Sequence, residues 1–143
     1  MLRHLLLSLL IPLLLIGCGK EKESTGEDAA VAFFEALYVN NDLNAARALA
    51  GPQLRDIMDS YGSITGIRRN LIALYLEDAE VSVMDTTEDF LRKVATEAVV
   101  QIHLKGRAEN GGVREADRFV VVKQSAGRWL VIEILPDRFK VGG

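Results

Sequence analysis

The sequence predicts an α+β fold in which N-terminal helices pack on a curved, four-stranded antiparallel meander sheet. Three observations predict it. Between Thr25 and Leu76 apolar residues recur at three- and four-residue spacing. After Glu77 the apolar period becomes two. The second half is punctuated by Asn110-Gly111, a strong hairpin signal, and by Ala126-Gly127.

The elements follow in order. Thr25-Gly26-Glu27-Asp28 has the spacing of a capping box, and its two acids suit the first turn of a helix. In the helix that follows, to Val39, Ala30, Phe33, Phe34, Leu37 and Tyr38 form one apolar face and Glu35 lies off it. Asn40-Asn41-Asp42 stops this helix and can cap a second, Leu43 to Ala50. Gly51-Pro52 breaks that one and opens a third, Gln53 to Tyr61, which Gly62 closes. Thr65 is read as the cap of a fourth helix reaching Leu76, with Ile67, Leu71, Leu74 and Tyr75 inward; Leu71 to Leu76 could also be extended. Val81 and Val83 then alternate with polar neighbours in a first strand, and Asp85 to Asp89 is a turn. Leu91 to Lys105, Val113 to Lys123 and Trp129 to Leu135 are the remaining strands, and Pro136 ends the last.

If both hairpin loops hold two residues, Val100, Ile102, Leu104, Phe119, Val121, Leu130, Ile132 and Ile134 share the core face. The other face then carries Val99, Gln101, His103, Arg118, Val120, Val122, Trp129, Val131 and Glu133. A three-residue loop at either turn would invert the third strand. In the two-residue register the second face has an apolar centre and a polar rim, the composition of an interface. Trp129, Val131, Val120, Val122, His103 and Arg118 are therefore the expected interface residues, with a homodimer as the expected assembly.

The first residues read differently. Arg3 precedes a run from Leu5 to Ile16 that is almost purely Leu and Ile. About a dozen residues is short of the roughly 20 that span a bilayer. The pattern is that of a secretory signal, and it ends in Leu15-Ile16-Gly17-Cys18. Those four residues resemble the lipobox of bacterial lipoproteins. The resemblance implies cleavage between Gly17 and Cys18 and lipid on the Cys18 thiol, which would tie the mature chain to a membrane. Gly19, in place of the Asp that retains enterobacterial lipoproteins in the inner membrane, implies an outer-membrane anchor facing the periplasm. The expected organisation is a signal over 1–17, lipidated Cys and polar tether over 18–26, one domain over 27–136 and a tail over 137–143.

Charge narrows the partners. Loss of 1–17 removes Arg3 and no acid, so the net charge of −3 becomes −4. A mildly acidic domain is a poor nucleic-acid ligand. Cys18 is the one cysteine, so once lipidated it leaves no disulfide, thiol nucleophile or thiolate metal site. His103 is the one histidine outside the signal, too few for a histidine metal cluster.

Asp28 to Leu49, with its paired aromatics, Asn-Asp break and Ala/Leu helix, resembles the opening of the nuclear transport factor 2-like superfamily. Gly127-Arg128-Trp129-Leu130-Val131 resembles that family's final strand. The resemblance implies a cystatin-like cone around an apolar interior. It implies no activity, because the catalytic residues of isomerase- and cyclase-type relatives find no counterpart by spacing. Tyr38, Tyr61, Glu97 and Asp117 are suitable types without a signature, and Arg68-Arg69 reads as a solvated helix face. No catalytic residue, cofactor or metal ligand is assigned. The expectation is a non-enzymatic, lipid-anchored envelope domain that binds a protein or a small apolar ligand. A small isomerase-type enzyme and a structural or immunity-type accessory are the alternatives.

Overall fold

The computed structural model of the chain describes residues 24–84 and 96–136. Gly17 and Cys18, the turn expected at 85–89, the start of the second long strand and the tail over 137–143 lie outside them.

Helix α1 (Gly26–Tyr38) begins as its sequence dictates. The Thr25 hydroxyl accepts from the Asp28 amide and the Asp28 carboxylate accepts from the Thr25 amide, so two amides of the first turn are satisfied reciprocally. Ala30, Phe33, Phe34, Leu37 and Tyr38 are all buried. Phe33 meets Phe34 edge-on at 5.5 Å, and Phe34 stacks on Tyr38 at 6.3 Å. Asp42 caps α2 (Leu43–Ala48) by accepting from the Ala45 amide. Pro52 opens α3 (Pro52–Tyr61), and Gly62, at φ +70°, closes it.

The fourth helix departs from expectation. Ser63, not Thr65, is its cap, and a single turn, α4 (Ile64–Gly66), widens into a π turn over Ile67–Leu71. The chain then leaves the helix five residues before Leu76. The cause lies outside the segment: side chains from α1 and the sheet take the carbonyls of residues 72–74, as described below. Ile67 and Leu74 do point inward; Leu71 and Tyr75 are only partly buried.

Strands β1 (Glu77–Val83), β2 (Glu97–Arg107), β3 (Val113–Ser125) and β4 (Arg128–Ile134) form one antiparallel sheet in sequence order, and α1 packs on all four. Two bulges shape it. In β1, Asp78 and Ala79 together oppose Gly106; a Cβ on Gly106 would stand 2.8 Å from the Glu77 carbonyl oxygen. In β4, Ile132 is the extra residue between the pairs Val122–Val131 and Val121–Glu133.

The register corrects the two-residue reading. The first hairpin closes on Ala108 and Gly112, leaving a three-residue loop, Glu109 to Gly111, with Gly111 at φ +85°. Ile102 therefore pairs with Arg118 and Val100 with Val120, and the faces of β3 are inverted. The second hairpin is the expected two-residue turn, with Ala126 and Gly127 at φ +50° and +75°. Trp129 and Val131 thus follow Val122 onto the helix-covered face. The bulge at Ile132 then returns Ile134 to the side of Val120.

Four of the six expected interface residues consequently belong to the interior: Val120, Val122 and Val131 are fully buried, and Arg118 is 7% exposed. Trp129 is half-buried over Gly26, where an added Cβ would lie 2.7 Å from Val122 Cγ2 and 3.2 Å from the indole. Only His103 faces outward as expected. Phe119, Val121 and Leu130, expected in the core, take the outer face with it.

One further contact completes the sheet. Ala50 forms a parallel bridge with Val131: the Gly51 amide donates to the Val131 carbonyl and the Val131 amide to the Leu49 carbonyl, both at 2.8 Å.

Candidate functional site

Two polar clusters stand out, one on each face of the sheet. On the outer face, adjacent positions of β2 and β3 bring together Gln101, His103 and Asp117. His103 Nδ1 lies 2.8 Å from Asp117 Oδ1, and Gln101 Nε2 donates to the second carboxylate oxygen at 3.2 Å. His103 Nε2 is 3.9 Å from Glu115, which also pairs with Lys105 at 3.1 Å. Beside this strip Val99 is 51% exposed. A two-residue loop would set His103 against Arg118; the three-residue loop puts Asp117 there instead. Ser82 stands opposite His103 in the β1–β2 register, yet no hydrogen bond joins them among the described residues. No group of three metal-ligating side chains suited to a metal occurs among the described residues.

The second cluster lies beneath the helices. The Tyr38 hydroxyl donates to the Leu74 carbonyl at 2.6 Å. Arg118 reaches from β3 to the same segment, with Nε donating to the Ile72 carbonyl at 2.9 Å and Nη2 to the Ala73 carbonyl at 3.1 Å; Nη1 donates to the Asp117 carbonyl at 2.7 Å. Arg68 reaches from the π turn to the end of α1. Its Nε donates to the Leu37 carbonyl at 2.7 Å, and its Nη2 donates to that carbonyl and, at 2.6 Å, to Asn41 Oδ1. A cation at that end also complements the helix dipole. Arg68 Cζ sits 5.1 Å from the centroid of the Tyr38 ring. Burial pushes the Tyr38 hydroxyl well above the usual phenol range, against the pull of Arg118 and then Arg68.

The remaining sequence candidates are structural or solvated. Tyr61 is exposed on α3, and Glu97 is exposed opposite Lys123. Arg69 is exposed over the Tyr75 ring and pairs with Glu109. Glu77 pairs with Arg107 at 2.8 Å, and that hydrogen bond, followed by one from Tyr75, lowers its carboxyl below the ordinary value. Sequence reading missed Arg68 and Arg118 as buried groups. The available signal was positional: Arg118 shares the parity of Val120 and Val122, and Arg68 follows the inward Ile67 in a helix with aliphatic residues on three sides.

No protein-family model matches the chain, and no curated protein matches it. Among solved structures it is similar to TerC, in a crystal structure titled as co-crystallized with polyporic acid, at 15% identity over 79% of this chain and 92% of that one, with a TM-score of 0.46. A likeness at that level carries no argument about activity or ligand.

Proposed function

We propose that the chain is a lipid-anchored lipoprotein of the cell envelope, and that its domain is a non-enzymatic binding module of the cystatin-like, nuclear transport factor 2-like type. The observation that carries the first part is Leu15-Ile16-Gly17-Cys18, which closes an almost purely Leu and Ile run that follows Arg3. Its setting supports it. The residues between Cys18 and the capped start of α1 are GKEKES, without an apolar side chain, a composition suited to a tether. Two or three acyl chains on one cysteine would hold the domain at a membrane where a single chain binds only marginally.

The binding reading rests on the outer face of β2 and β3. There an exposed Val99 adjoins polar side chains held by one another, Gln101 and His103 on Asp117. Such a strip offers a partner an apolar contact with fixed donors and acceptors beside it. Catalysis finds less support: the Tyr38 hydroxyl is already engaged with a backbone carbonyl, and Asp117 is engaged with His103 and Gln101.

Metabolic labelling with an alkyne fatty acid tests the anchor. Wild type should carry label and Cys18→Ala should not; equal label on both proteins refutes the lipoprotein reading. Native-membrane pull-downs compared with a Val99→Arg variant test the face. A partner captured equally by both does not use it.

A further inference from the structure

We propose that Arg68 and Arg118 form the floor of a binding site for a small oxyanion, a carboxylate or a phosphate, entered between Asn41 and Ala73. This inference does not depend on the lipid anchor or on the outer face.

The first observation is buried charge without a counter-charge. Arg47, Arg69 and Arg107 are all partly exposed, and each meets a carboxylate: Asp59 at 2.8 Å, Glu109, and Glu77 at 2.8 Å. Arg68 and Arg118 are each 7% exposed, and neither meets a carboxylate among the described residues. A guanidinium taken out of water needs a counter-charge far more than one at the surface does. Arg68 and Arg118 go without one although the domain carries an excess of acids; Arg55, Arg114 and Arg128 also meet no carboxylate among the described residues, but water reaches them more freely.

The second observation concerns donors. A guanidinium presents five N–H groups in a planar fork. Arg68 uses Nε and Nη2, and its Nη1 has no acceptor among the described residues. Arg118 makes one bond from each nitrogen, so two of its N–H groups have no acceptor there. All the bonds they make are to neutral oxygens, five to backbone carbonyls and one to the Asn41 amide. The carbonyls position the two forks and leave their charge unneutralised. A planar oxyanion would complete both the hydrogen bonding and the charge.

The third observation is where the arginines open. Asn41, bonded to Arg68, and Ala73, bonded to Arg118, are both exposed, so each buried guanidinium is hydrogen-bonded to a residue that solvent reaches. Both residues hold positive φ, +50° for Asn41 and +55° for Ala73. An alanine there is strained, and such strain gathers where the backbone must keep clear of a ligand or hold a clamp. Tyr38 ties the two sides together. Its ring lies under Arg68, its hydroxyl is bonded one residue beyond the Ala73 carbonyl that Arg118 holds, and both arginines act on it electrostatically.

The test is thermal unfolding of the full chain in detergent, followed by Trp129 fluorescence. Sodium phosphate and sodium acetate are titrated in separate arms against sodium chloride at constant ionic strength. A bound anion gives a saturable rise of several degrees in Tm, and the arm in which it appears identifies the oxyanion. Arg68→Lys and Arg118→Lys keep the charge and lose the fork. Each should weaken the apparent affinity at least tenfold while the variant still melts cooperatively. If neither anion exceeds chloride, or if both lysine variants match the wild-type titration, the two arginines are carbonyl staples alone and the proposal fails. Should a lysine variant not fold, calorimetric titration of wild type with phosphate and acetate decides; heat no greater than that of chloride overturns the site.

Discussion

Replacing Val131 and Val99 in parallel tests the register on which every assignment above depends. Val131, on β4, is fully buried beneath the helices, whereas Val99, on β2, is 51% exposed on the outer face. Val131→Ala removes two buried carbons, worth roughly 0.8 kcal/mol each in transfer. The hole left behind adds to that, because Val122 and the Ala50 bridge hold the surrounding backbone in place. A loss of about 2–3 kcal/mol follows, a large part of the 5–15 kcal/mol typical of a small domain. Val99→Ala removes the same atoms from a half-wet site and should fall within about 0.5 kcal/mol of wild type. Val131→Arg sharpens the contrast, since an unpaired charge at that point costs several kcal/mol more, whereas Val99→Arg should leave the fold intact. Urea denaturation followed by far-ultraviolet circular dichroism reads all four. If Val131→Arg unfolds at wild-type urea concentrations, the two-residue loop at Asn110-Gly111 is right and the faces of β3 and β4 must be exchanged; Val99, outward in either register, is the control.

Three further outcomes follow from single contacts. Gly26→Ala should destabilise the domain by about 1–3 kcal/mol although alanine is the better helix former, because the new methyl meets Val122 and Trp129. Adding Val122→Ala should make the double variant less damaged than the sum of the two single changes, and strict additivity would argue against that contact. Tyr38→Phe should cost about 1 kcal/mol at neutral pH through the lost bond to Leu74. It should also soften the alkaline limb of stability. The native hydroxyl keeps its proton where the unfolded chain, ionising near the ordinary value of 10.0, releases it, so this group's contribution is intact below that pH and declines above it. Denaturation midpoints measured at pH 8 and pH 11 in both proteins check the sign; a steeper decline in the variant would contradict it.

The sequence was most legible where structure is local. The Thr25–Asp28 box, the Asp42 cap, the Gly62 stop and the Ala126-Gly127 turn each act within four residues, and each appears where the spacing put it. The face of α1 was legible because four large apolar residues, Phe33, Phe34, Leu37 and Tyr38, leave one packing direction. The register was not. Asn110-Gly111 accommodates either loop length, and the choice rests on whether Val120 and Val122 or Phe119 and Val121 meet α1, a tertiary matter. The bulge at Ile132 carries no residue signature. The early end of the fourth helix depends on Arg118 and Tyr38, which lie 46 and 36 residues from the Ile72 and Leu74 carbonyls they hold. Both arginines were hidden for the same reason: burial was decided by elements distant in sequence.

The bridge between Ala50 and Val131 also bears on how copies of this chain meet one another. A sheet has two rims, each a row of amides and carbonyls able to recruit a foreign strand. On the β4 side that row is already occupied at Val131 by Leu49 and Gly51. On the β1 side it is interrupted by the bulge at Asp78 and Ala79 and lined by exposed Glu77, Asp78 and Glu80. One rim is therefore obstructed by the chain itself, and the other repels a second copy of the same acidic strand. Crowding on a surface would raise the local concentration of such domains greatly, and a sheet guarded at both sides can tolerate that without extending into its neighbours.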